Sequence, residues 1–148
     1  LLLSIHGNSA ANGSTASGFE CYPSVPGRTW HQESFYFAQL LAEGMQAAGA
    51  ELRGHGGVRY IYYLENDQTQ LVESTHTEIR EERSFTLLED VNCPAVLAEQ
   101  CFVTNEADAV RFGSEEGCKK AARIYYEAIC EYFGTQPQSE QLAGLSLN

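Results

Sequence analysis

The sequence is poor in several things that would assign it to a special class. It has one Met, one Trp and four Pro, and no run approaching the roughly 18 consecutive apolar residues of a membrane-spanning helix. Leu1 to Leu3 is too short, and lacks the basic flank, to be a signal peptide. None of the five cysteines (Cys21, Cys93, Cys101, Cys118, Cys130) forms a CxxC pair, and their number is odd, so a zinc ribbon or a disulfide framework is not expected and buried, reduced thiols are. Basic residues are scarce too. Nine Lys and Arg against 20 Asp and Glu give a net charge of −11, a field that repels phosphate polymers, so nucleic acid is not an expected partner. What remains is ordinary for a globular chain: 148 residues, 43% hydrophobic, enough for one core without staples.

Along the chain, Leu1 to Ile5 reads as a buried central strand that opens into a small, polar loop at His6-Gly7-Asn8. Gly18 to Tyr22 is a second strand, closed by Pro23 and the Pro26-Gly27 turn. A helix follows, with Thr29 and Gln32 at capping-box spacing, an apolar face of Trp30, Phe37, Ala38, Leu41, Met45 and Ala48, and Gly49 as its stop. Residues 51–83 are polar, with Val58 to Leu64 the one β-like piece, and about 54–79 reads as an insertion. Ser84 to Leu88 and Ala95 to Val103 are strand-like. A short helical turn near Asn105 to Phe112 leads to a long helix capped by Ser114, with Cys118, Ala121, Ala122, Tyr125, Ile129, Tyr132 and Phe133 on one face and Gly134 at its end. This order predicts an α/β fold, a mixed, largely parallel sheet flanked by helices, over residues 1–134, with 135–148 as a flexible tail.

Two residues stand out chemically. His6 leaves the end of a strand beside a Gly, where a neutral imidazole can ligate zinc or serve as a hydrogen-bonded core histidine. Glu99 interrupts the apolar run Ala95 to Val103, and an ionised carboxylate there costs several kcal/mol unless a metal, a cation or water meets it. A partner such as Arg80 or Arg83 would make it structural; apolar surroundings without one would raise its pKa into the range of a general acid/base. α/β sheets place their sites at the C-terminal ends of strands; His6 leaves the end of the first strand and Glu99 lies within a later one, so both are candidates for a single cleft. His31 and His76 read as solvated. Tyr60, Tyr62 and Tyr63 alternate as strand residues do.

Leu3-Ser4-Ile5-His6-Gly7-Asn8 resembles the strand motif S-I-H-x-N of the zinc-dependent N-acetylmuramoyl-L-alanine amidases of the type 3 family. The stretch from Pro94-Ala95-Val96-Leu97-Ala98-Glu99 to Phe102, Asn105 and Asp108 is similar to that family's P-A-V-L-x-E-x-x-F-x-S-N-x-x-D. Arg80-Glu81-Glu82 also resembles the segment preceding the second motif, and the likeness spans roughly residues 1–133. The resemblance implies a zinc hydrolase of bacterial peptidoglycan, acting at the cell wall as a secreted autolysin or a phage endolysin. It would cut the amide between N-acetylmuramic acid and L-alanine, with His6 a zinc ligand, Glu99 the acid/base and Asn8 close to the site or to substrate. The same family places two more zinc ligands, a His in a G-H-G-G loop and a Glu, ahead of its S-I-H-x-N strand. The chain begins at that strand, so it is expected to be N-terminally incomplete. Gly54-His55-Gly56-Gly57 spells the loop, with Glu65 ten residues on, but both fall out of order. The alternative function is a catalytically incompetent amidase-like domain that binds wall peptide or a regulatory partner.

Overall fold

The computed structural model describes residues 1–65 and 68–138. Three strands form the main sheet: β1 (Leu2–Asn8), β2 (Glu20–Pro23) and, from the second motif, a central strand. Before that central strand come α1 (His31–Ala47), the hairpin β3 (Arg59–Tyr63) and β4 (Thr69–Glu73), and the single turn α2 (Thr86–Glu89). The central strand is β5 (Ala95–Phe102), and α3 (Glu106–Asp108), a π-helical turn (Ala109–Gly113) and α4 (Glu115–Tyr132) follow it. The sheet order is β1-β5-β2, parallel between β1 and β5 and antiparallel between β2 and β5, so the architecture is the mixed α/β sheet with flanking helices that the pattern implied. Among the described residues, no helix is long and apolar enough to cross a membrane.

Period-two alternation divides the sheet into two faces. Cys21, Val96 and Ala98 point to the back, where α1 and α4 cover them with Phe37, Leu41, Met45, Ala121 and Tyr125. Tyr22, Ala95 and Leu97 point to the front, against Leu88, Ile61 and Phe85. The two helices approach closely at Gly44, where a Cβ would lie 2.6 Å from the Ile124 methyl.

Several local expectations change. β1 is a half-exposed edge strand and not a buried central one, since β5 alone pairs with it among the described residues. The Thr29/Gln32 capping box does not form; α1 starts at His31 with no side-chain cap. Ser84 to Leu88 is not a strand, because the Glu89 carboxylate accepts the Ser84 N–H at 2.8 Å and an Arg28 Nε–H at 2.8 Å, closing the chain into a helical turn. β4 carries too few apolar residues to be read in advance and exists as the hairpin partner of β3. On α4 the buried stripe runs Gly117, Ala121, Ile124, Tyr125 and Ala128, leaving Cys118, Ala122 and Phe133 outside, because small residues let the helix lie close to α1 and to the preceding turn. Ser114 caps it as expected, accepting the Gly117 N–H at 3.1 Å. Cys21, Cys101 and Cys130 are buried free thiols; Cys118 is exposed and Cys93 half-buried. Most of the expected flexible tail, 139–148, lies outside the described residues.

Candidate active site

The front face carries a row of three ionisable side chains. His6 on β1, Glu99 on β5 and Glu20 on β2 are direct cross-strand partners, and side chains in register on adjacent strands project to the same face. The central strand then carries one extra residue: His6 pairs with Glu99 but Asn8 with Phe102, so Gly7 faces both Gln100 and Cys101. This bulge lets both Gln100 and Cys101 serve the back. Gln100 accepts the Tyr125 hydroxyl at 3.1 Å and donates to the Phe112 carbonyl, while Cys101 joins the core. Phe102 thereby returns to the front beside Glu99.

Glu99 is half-buried, and its Oε2 is shut off from water with no hydrogen-bond partner among the described residues. Neither arginine that could have made it structural reaches it: Arg80 pairs with Glu82 and Arg83 with Asp90. Burial raises the Glu99 carboxyl above the usual carboxylate range; His6 pulls it down and Glu20 pushes it up. His6 is exposed, not a core histidine, and its Nε2 shares a 2.8 Å hydrogen bond with Ser4 Oγ. Asn8 faces inward and donates Nδ2–H to Glu20 Oε1 at 2.8 Å.

Sequence reasoning missed Glu20 and its arginines. Glu20 is 3% exposed and accepts from Arg59 Nη1 at 3.0 Å, with Arg53 Nε at 3.1 Å. Arg59 reaches on to Glu73 at 3.1 Å, and the Arg53 guanidinium lies 4.7 Å from the centre of the Phe102 ring. The available signal was a carboxylate between two buried positions in Gly18 to Tyr22, with the two arginines in a segment set aside as an insertion. Past β5, Asn105 caps α3 by accepting from Ala107 and Asp108, and Asp108 Oδ2 accepts the Gly18 N–H at 2.7 Å and the Phe102 N–H at 3.0 Å. These bonds tie the ends of β2 and β5 together.

Residues 1–131 match the family of N-acetylmuramoyl-L-alanine amidases. The chain belongs to this family. Its fold is similar to that of Ami1, an N-acetylmuramyl-L-alanine amidase from Mycobacterium smegmatis (23% identity, 90% of this chain and 54% of that one, TM-score 0.62). It is likewise similar to that of the catalytic domain of the amidase CwlV from Bacillus (Paenibacillus) polymyxa var. colistinus (24% identity, 90% and 57%, TM-score 0.61). An uncharacterised protein of Bacillus subtilis, YqiI, is 41% identical over 68 residues, 45% of this chain and 33% of that protein. The chain therefore spans a third of that relative and a little over half of each solved amidase.

His55 and Glu65 stay apart from the row. His55 sits in an exposed turn before β3, its N–H held by Glu73 at 2.7 Å, and lines a depression with Gln39, Gln46 and Ser74. Glu65 is exposed beyond the end of β3. His31 is not solvated: Nδ1 lies 2.8 Å from the Ser24 carbonyl, and its ring packs on Phe35 and Tyr60. Catalytic zinc takes about three protein donors, and no group of three or more His, Cys, Asp or Glu side chains able to hold a metal occurs among the described residues. His6 fits zinc as a single donor; the described residues do not fit it as a complete set.

Proposed function

We propose that the chain carries the acid/base half of a peptidoglycan amidase site, cutting the amide between N-acetylmuramic acid and L-alanine at the bacterial cell wall. The observation that carries this reading is Glu99: a carboxylate on the central strand, one oxygen buried and without a hydrogen-bond partner among the described residues, in register with an exposed histidine. Zinc is the cofactor of this reading, supplying Lewis acidity toward the amide carbonyl when bound. His6 offers it one nitrogen, with the remaining donors coming from outside the described residues.

Glu99 works as the proton carrier. Its raised pKa lets it take a proton from the attacking water and return it to the leaving amine of L-alanine. Asn8 acts by holding Glu20 and pinning the strand end behind His6, rather than by touching substrate. A non-catalytic wall-binding domain would leave the Glu99 carboxylate as a desolvation cost with no use.

The test is turnover and metal content of the purified protein on isolated peptidoglycan, read as newly freed L-alanine amino groups. Glu99→Gln should keep zinc and lose about 10²- to 10⁴-fold in kcat. His6→Ala should lose zinc. Undiminished release by Glu99→Gln refutes the assignment.

A further inference from the structure

Glu20 is a buried carboxylate for which the hydrolysis has no direct use. It stands directly opposite Glu99, and like charges in register on neighbouring strands repel. Two guanidinium groups lie on it, Arg59 at 3.0 Å and Arg53 at 3.1 Å. Both guanidinium groups are thus held on the carboxylate that stands in register with Glu99, and Glu99 Oε2 is left without a hydrogen-bond partner among the described residues. An arginine released within reach of a free, partly desolvated carboxylate ordinarily takes it in a charge-assisted, often bidentate, pair. Such a pair would fill the oxygen that must receive the proton and would hold the carboxylate in its ionised form.

We propose that Glu20 is a positioning residue that draws Arg53 and Arg59 onto itself and so keeps Glu99 unpaired for proton transfer. This rests on the reading of Glu99 as the acid/base. Other contacts also hold the arginines, since Arg53 Nη1 donates to the Ser17 carbonyl at 3.2 Å and Arg59 bonds Glu73. The proposal assigns the decisive hold to Glu20 because, among the described residues, it alone pairs with both guanidinium groups, and it stands in register with Glu99. Asn8 donates to the same carboxylate.

The experiment compares Glu20→Gln with the triple variant Glu20→Gln, Arg53→Gln, Arg59→Gln in the zinc-loaded protein. In the single variant a crystal structure should show Arg53 or Arg59 within about 3 Å of the Glu99 carboxylate. Its kcat should fall about 10- to 100-fold with KM changed by less than about twofold. Removing the arginines should restore kcat to within about threefold of the parent, whereas a purely structural role would make the three losses accumulate. Arginines that stay clear of Glu99 in the single variant, or a triple variant no faster than the single one, overturn the proposal. If Glu20→Gln does not fold, the triple variant decides: parent-like turnover supports the proposal, and a triple variant that fails to fold or to turn over overturns it. If the parent releases no L-alanine amino groups at all, the amidase reading fails, and the arginine positions in the Glu20→Gln crystal structure decide the proposal by themselves.

Discussion

Glu20 and Glu99 face each other across β2 and β5 in opposite electrostatic circumstances: one hydrogen-bonded to Asn8 and Arg59 and ion-paired with Arg53, the other with a buried oxygen that has no hydrogen-bond partner among the described residues. The contrast separates a buried carboxylate that has ionic partners from one that burdens the fold without them.

The burden is measurable. A carboxyl whose folded pKa is raised is less favourable ionised in the folded state than in the unfolded one, so stability is lost as pH rises through its unfolded value, about 4.3, towards its folded value. Glu99→Gln should therefore be more stable than the parent at pH 7, and the difference should shrink toward pH 4. Urea titrations at the two pH values check this; an equal difference at both would contradict it.

Glu89 carries the opposite sign. Burial pushes its carboxyl up, but the hydrogen bonds from Arg28 and the Ser84 N–H outweigh this and leave its pKa lowered. Its stabilisation is present above the unfolded pKa and fades as pH falls through the folded one. Glu89→Gln should cost about 1–3 kcal/mol at pH 7, and should speed proteolysis within residues 79–90. Arg28 also donates to the Arg80 and Glu82 carbonyls, so Arg28→Ala should loosen the same segment.

Close helix packing sets a third expectation. Gly44→Ala gains up to about 1 kcal/mol of helix propensity, but its Cβ would meet the Ile124 methyl at 2.6 Å. Overpacking of this kind costs about 1–3 kcal/mol, so the variant should be destabilised in denaturant unfolding. Adding Ile124→Ala, which removes the clashing methyl, should cost less in the Gly44→Ala background than in the parent.

The Ser114 cap gives a fourth. Ser114→Ala removes the acceptor of the Gly117 N–H at the start of α4 and should cost about 1 kcal/mol. Thr29→Ala should cost much less, because α1 has no side-chain cap; thermal unfolding of the two variants checks the pair.

Periodicity and punctuation made much of the fold legible. The apolar run Ala95 to Val103 marked a strand, though not its central place, which was given to Leu1–Ile5, and Ser114, Gly49 and Gly134 marked helix ends, because a cap oxygen or a left-handed residue acts within a few positions of itself. The polar β4 and the α2 turn were not legible: one depends on pairing with β3, the other on Glu89 reaching Arg28 across 61 residues. The exposed face of α4 was misread for a related reason. Which small residues face a neighbour depends on how closely α1 approaches, and hydropathy does not encode that distance.

The site divides in the same way. The sequence by itself determined that Glu99 interrupts an apolar strand and that His6 ends another, since the cost of a buried charge is local. Their meeting in one row, the bulge that turns Phe102 to the front, and the pairing of Glu20 with arginines 33 and 39 positions away were decided by tertiary structure. Those relations arise from strand register, and register is fixed when the two faces of the whole sheet are buried together.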